Sequence, residues 1–171
     1  MADKSFMDRG KISRLSWEER MREIVTECDT ADIKKCAWLA GEIARLRRGM
    51  NIRGDNSVEQ ENLFYQTLMC FCDRATQALD DLQTQDPNQY RSVRHIIENL
   101  GEFSFHNKAY DKNTGHHPQE KIDAFLRKSE PILADALENM RTTTDGHQRW
   151  TNKSFTLLMS AYARLGWKPK L

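Results

Sequence analysis

No run of about 18 consecutive apolar residues occurs in the chain, so no membrane-spanning helix is expected. The first ten residues, MADKSFMDRG, carry acids and lack the apolar core of a secretory signal, which points to a soluble cytosolic protein. Net charge is nearly absent: 26 lysines and arginines stand against 25 acids, giving +1. A global field that draws the molecule to nucleic acid or membrane is thereby excluded. Cysteine is scarce. Cys28, Cys36, Cys70 and Cys72 show neither a paired C-x2-C spacing nor nearby histidines, so they read as buried reduced thiols rather than zinc ligands. Missing too are a phosphate-binding P-loop, a G-x-S-x-G elbow, an H-E-x-x-H helix and a dinucleotide fingerprint. No cofactor or metal is expected, and no repeat or low-complexity tract is present.

What is there repeats with the period of a helix. The chain is 39% apolar, enough for a core, and 30% charged. Ser16-Trp17-Glu18-Glu19 has the form of a capping box, followed by Trp17, Met21, Ile24, Val25 and Cys28 on one face. Asp29-Thr30 offers the next cap. Ile33, Cys36, Ala37, Ala40, Ile43 and Ala44 form a second stripe, widened by Leu39 and Leu46, and Gly49 is placed to end that helix. Ser57-Val58-Glu59-Gln60 is another capping box, opening a helix to about Gln83 with Phe64, Leu68, Phe71, Cys72, Ala75, Leu79 and Leu82 inward. Asp86-Pro87 starts a fourth helix, stopped by Gly101. Pro118 opens a fifth, which Pro131 kinks or divides, and a last one runs from about Asn152 to Leu165 with Phe155, Leu158, Met159 and Tyr162 inward. The fold class expected is all-α, a bundle of six or seven helices with one core or two small cores in contact. The division falls between an N-terminal half, 1–101, an irregular linker loop, 102–117, and a C-terminal half, 118–171.

The segment 102–117, EFSFHNKAYDKNTGHH, breaks the rhythm and reads as a long ordered loop. His106, His116 and His117 share it, yet no acid or cysteine stands at helical spacing from them, so surface residues are the default. Arg141 and His147, with five residues between, resemble in count the arginine–histidine motif of HEPN ribonucleases. They lie in turn-like sequence, where that motif opens a helix, and a ribonuclease ranks lowest. Arg91 and His95 are on a helix but one residue too close.

Charge is unevenly distributed. Basic residues stand against acidic ones as 12 to 9 over residues 1–54, 1 to 7 over 55–90, and 13 to 9 over 91–171. The segment EIARLRRGMNIRG concentrates Arg45, Arg47, Arg48 and Arg53 at a helix end. Cations there offset the helix dipole, which explains one or two arginines but not four. Forked guanidinium donors match phosphate oxygens, so the four together predict sequence-blind, salt-dependent phosphate contact. Trp150 with Lys153, and Trp167 with Lys168, offer a second strip in which aromatic rings beside cations suit stacked bases. An acidic zone flanked by basic ones also suits head-to-tail self-association.

The leading expectation is therefore a non-enzymatic helical protein that binds the backbone of single-stranded or duplex nucleic acid, as a repeated subunit of a larger ribonucleoprotein or nucleocapsid-like assembly. In class, though not in any motif, this resembles the small helical subunits of CRISPR effector complexes and viral nucleoproteins. The alternative is a protein-only adaptor or inhibitor whose tryptophans and arginines form a protein interface.

Overall fold

The computed structural model describes residues 17–82, 87–107, 118–142 and 152–170. Among them are six α-helices and no strand, an all-α bundle. The helices are α1 (Trp17–Cys28), α2 (Ile33–Arg53), α3 (Val58–Ala78), α4 (Pro87–Asn107), α5 (Pro118–Thr142) and α6 (Asn152–Leu165), with a 3-10 turn at Leu79–Asp81 after α3. Residues from all six helices join one buried core, so the two halves divided at 101–117 share their interior.

The helix starts follow local chemistry. Ser57 closes the expected capping box: its hydroxyl accepts from the backbone of Gln60, whose side chain accepts from the backbone of Ser57. Ser16 lies outside the described residues, although α1 begins at Trp17 as expected. The cap of α2 is Asp32, not Asp29-Thr30; its carboxylate accepts from Lys35 N at 2.8 Å. Asp29 N is instead bonded to Thr26 O at 3.2 Å, finishing α1, and Ala31 is buried in the turn. Pro131 sits inside α5 without ending it.

Two glycines expected to stop helices do not. Gly49 is interior to α2, because Met50 one residue on is fully buried and holds the helix to the core. The left-handed cap is Gly54, with φ 74°, whose N–H bonds to Met50 O at 3.2 Å. Gly101 is likewise interior to α4, which carries Phe103 into the core, so residues 102–107, expected as the start of a loop, are helical. At Gly101 the backbone of α6 comes close: a Cβ there would lie 3.0 Å from Ala161 Cα. Glycine is thus the residue that lets α4 and α6 pack. Replacing Gly101 with valine is expected to destabilise the fold by about 1–3 kcal/mol through overpacking. Gly49→Ala, where a Cβ meets nothing within 4 Å, is expected to add about 0.5–1 kcal/mol. Urea unfolding of the two variants checks both signs.

Polar pairs set the directions of the helices. Arg20 bonds to Glu42 and Lys35 to Glu27, pairs that close towards the intervening turn, so α1 and α2 form an antiparallel hairpin. Arg47–Glu61 joins α2 and α3 the same way, across the next turn. Glu18 and Gln60 are 42 positions apart, and the thiols of Cys28 and Cys70, at the same separation, lie within hydrogen-bond reach, so α1 and α3 run parallel. Lys121–Asp73 at 2.6 Å and Lys128–Asp80 at 2.7 Å keep one offset and lay α5 parallel to α3. Two acids of the zone expected to meet another copy are thus engaged by lysines of this chain. All four cysteines are free, as expected; burial pushes the thiols of Cys28 and Cys36 up, to about 12 and about 11.

Candidate nucleic-acid interface

The exposed face of α2 is set by its opposite. At about 100° per residue, Ile43, Ala44 and Met50 define an inward face whose centre falls on position 47. Arg47 is accordingly buried, at 5% exposure, and is not part of the exposed face. Its Nη1 lies 2.6 Å from Glu61 Oε2, and its guanidinium stacks 4.5 Å from the Phe64 ring centre. The expectation that Arg47 stands with Arg45, Arg48 and Arg53 in one exposed phosphate grip is corrected by this geometry. Its charge is spent on pinning α2 to α3 beneath an aromatic ring.

The other three arginines of the cluster remain at the surface. Arg45 is 53% exposed and pairs with Glu42, three residues back on its own helix, at 3.0 Å. Arg48 is 61% exposed and reaches across to Glu102 of α4, with Nη1 at 2.9 and 3.2 Å from the two carboxylate oxygens. Arg53 is exposed, with its guanidinium carbon 5.9 Å from the Trp17 ring centre. Exposed ion pairs of this kind contribute only about 0–1 kcal/mol each. A phosphate on the outer face can therefore exchange for the carboxylate at Arg45 or Arg48 with little loss, whereas Arg47 is withdrawn from that face.

The same face holds a residue that the sequence pattern did not single out. Trp38 sits about 180° round α2 from Arg47 and is 51% exposed. Lys35 Nζ lies 4.2 Å over its ring and the Arg20 guanidinium 5.3 Å away. Arg20 in turn is held by Glu23, Glu27 and Glu42. Lys34, Trp38 and Arg45 follow one another along a single side of the helix, with the exposed Ile52 beyond them. A search for tryptophans placed opposite a helix's buried stripe would have found Trp38.

The second strip does not assemble. Trp150 lies outside the described residues. Lys153 and Lys168 are exposed, but they flank opposite ends of α6, about 20 Å apart at the helical rise. Trp167 is partly buried against the core. Its N–H bonds to Tyr162 O at 2.9 Å and that of Gly166 to Ala163 O at 3.1 Å, the paired bonds of a Schellman motif. The indole beyond that turn packs as such motifs require, with its own Nε1–H buried and without a hydrogen-bond partner among the described residues.

His95 is held below its ordinary range by burial, with Arg94 and Arg91 adding to the effect. Among the described residues no three His, Cys, Asp or Glu side chains converge as metal ligands. His116, His117 and His147 lie outside those residues, and Arg141 is in the last turn of α5. No helix among the described residues is long and apolar enough to cross a membrane. Comparison with protein-family models, curated proteins and solved structures finds no match for this chain.

Proposed function

We propose that the outer face of α2 binds nucleic-acid backbone without base specificity, and that it does so as a binding surface rather than a catalyst. The observation that carries this reading is the half-exposed Trp38 ring, with Lys35 Nζ 4.2 Å above it, on the side of the helix that also presents Arg45. An aromatic face beside cations is the pairing that a stacked base and its phosphate require. The magnitudes favour exchange. A surface cation–π contact is worth about 0.5–1 kcal/mol. A stacked base contributes about 1–3 kcal/mol, so a base can displace Lys35 from the ring and leave its ammonium for phosphate.

Arg45, Arg48 and Arg53 supply the remaining phosphate contacts, at the end of α2 away from Trp38. Head-to-tail assembly through the acidic zone is not part of the proposal, which rests on the α2 face alone. Single strands are the preferred substrate class, because only an unstacked base offers its face to the indole. Trp38→Ala is expected to weaken binding of a labelled single-stranded RNA about tenfold, in keeping with the loss of one stacking contact. Duplex binding should change little. Fluorescence anisotropy with both probes distinguishes the cases, and equal losses for strand and duplex would remove the stacking role.

One observation favours a protein partner instead. Ile52 and Val58 are 86% and 64% exposed beside the arginines, and apolar residues ringed by charge suit a protein interface. That reading calls for no nucleic-acid binding at any salt concentration.

A further inference from the structure

A cavity of about 370 Å³ opens between α2, α4 and α6, on a different side of α2 from Trp38. Its lining includes Arg47, Arg48, Asn51, Glu102, Phe103 and Arg164. Three arginines from two helices therefore line one space, with a single acidic residue, Glu102, among them. Arg47, buried and already bonded to Glu61 through Nη1, keeps an Nε–H that finds no hydrogen-bond partner among the described residues. A buried donor of this kind calls for an acceptor, and this one belongs to a residue that lines the cavity. Glu102 occupies the mouth: both of its oxygens take Arg48 Nη1.

We propose that this cavity seats a phosphate group. Arg48, Arg164 and Asn51 surround it, the Arg47 guanidinium forms its floor, and Glu102 is the anion that it displaces. Planar forked donors match tetrahedral oxyanions, and several from different elements fix the group in place as one surface arginine cannot. The volume is that of a small-ligand site rather than of a folded partner. The phosphate can belong to a nucleic-acid backbone or to a free phosphorylated small molecule. The proposal does not depend on the role of Trp38.

The test uses the intact chain labelled with nitrogen-15 and the side-chain Nε–H signals of its arginines. Titrating inorganic phosphate is expected to move the signals of Arg47 and Arg48. Arg164→Gln should weaken the effect at least fivefold. Glu102→Gln should strengthen it about threefold to fivefold, the range that one exposed ion pair commands. A competition arm separates the sources. If a backbone phosphate is the occupant, inorganic phosphate displaces a labelled single-stranded RNA and Glu102→Gln tightens both. If a free phosphorylated molecule is, phosphate binds and the RNA is not displaced. Arginine signals unmoved by phosphate, together with a neutral Glu102→Gln, would overturn the proposal even where RNA binds to the outer face. Shifts at Arg47 and Arg48 in a protein that binds no RNA would uphold the cavity and remove the function proposed for Trp38 and its neighbours.

Discussion

Arg47→Ala is expected to cost about 3–5 kcal/mol of stability, the penalty for leaving a buried charge without its partner. The bereaved group is Glu61, whose carboxylate has Arg47 Nη1 at 2.6 Å and whose side chain is only 12% exposed. The loss extends beyond charge, because the Arg47 guanidinium covers the Phe64 ring at 4.5 Å. A midpoint fall of about 10 °C or more follows for a chain of this size. Arg48→Ala, one position along the helix, should cost no more than about 1 kcal/mol, since its pair with Glu102 stands in water. Replacing both members of the buried pair, with Arg47→Met and Glu61→Leu, should recover most of the loss, because an apolar pair of similar volume needs no compensating charge. Urea unfolding of the four proteins settles the order. Equal costs for Arg47→Ala and Arg48→Ala would mean that Arg47 is not the inner pin.

Reversing the three exposed arginines has the opposite profile. In the triple variant Arg45→Glu, Arg48→Glu and Arg53→Glu the helical spectrum should persist, because each replaced side chain stands in solvent. The new acids do face Glu42 and Glu102, but repulsion between exposed charges is as small as the attraction that it replaces. Affinity for a single-stranded RNA should fall by about two orders of magnitude or more at low salt, since three phosphate contacts become three repulsions. The comparison turns a question about one arginine cluster into two separable effects. On this account stability is the expected effect at position 47, and polyanion binding by the outer face is the expected effect at 45, 48 and 53. Affinity unchanged in the triple variant would place any binding elsewhere on the molecule.

Much of the fold can be read from the chain because its signals are local. Capping at Ser57 and Gln60, the start at Pro87 and the left-handed end at Gly166 each need only a few neighbours. Gly49 and Gly101 mislead because their roles are not local. Gly49 is carried through by the burial of Met50, and Gly101 is small because α6, some 60 positions later, lies against it. Phe103 could have extended α4, since it continues the spacing of Ile96 and Leu100. The arginine cluster shows a different difficulty. Charge was counted along the chain, while exposure is decided around the helix. Placed on the wheel defined by Ile43, Ala44 and Met50, Arg47 falls among the core residues and Trp38 falls opposite them. The partners Glu61 and Glu102 could not be read in this way, because they come from other helices.

The salt dependence of binding bears most directly on the proposed role of α2. Anisotropy of a labelled single-stranded RNA, measured from about 50 to 200 mM salt, spans the range in which counterion release is felt. Contacts from Arg45, Arg48, Arg53 and Lys35 imply a slope of roughly −2 to −3 in log affinity against log salt, or about a fifteenfold to sixtyfold loss across that range. The absence of binding at 50 mM salt, or an affinity that salt leaves unchanged, would contradict a helix face that grips phosphate.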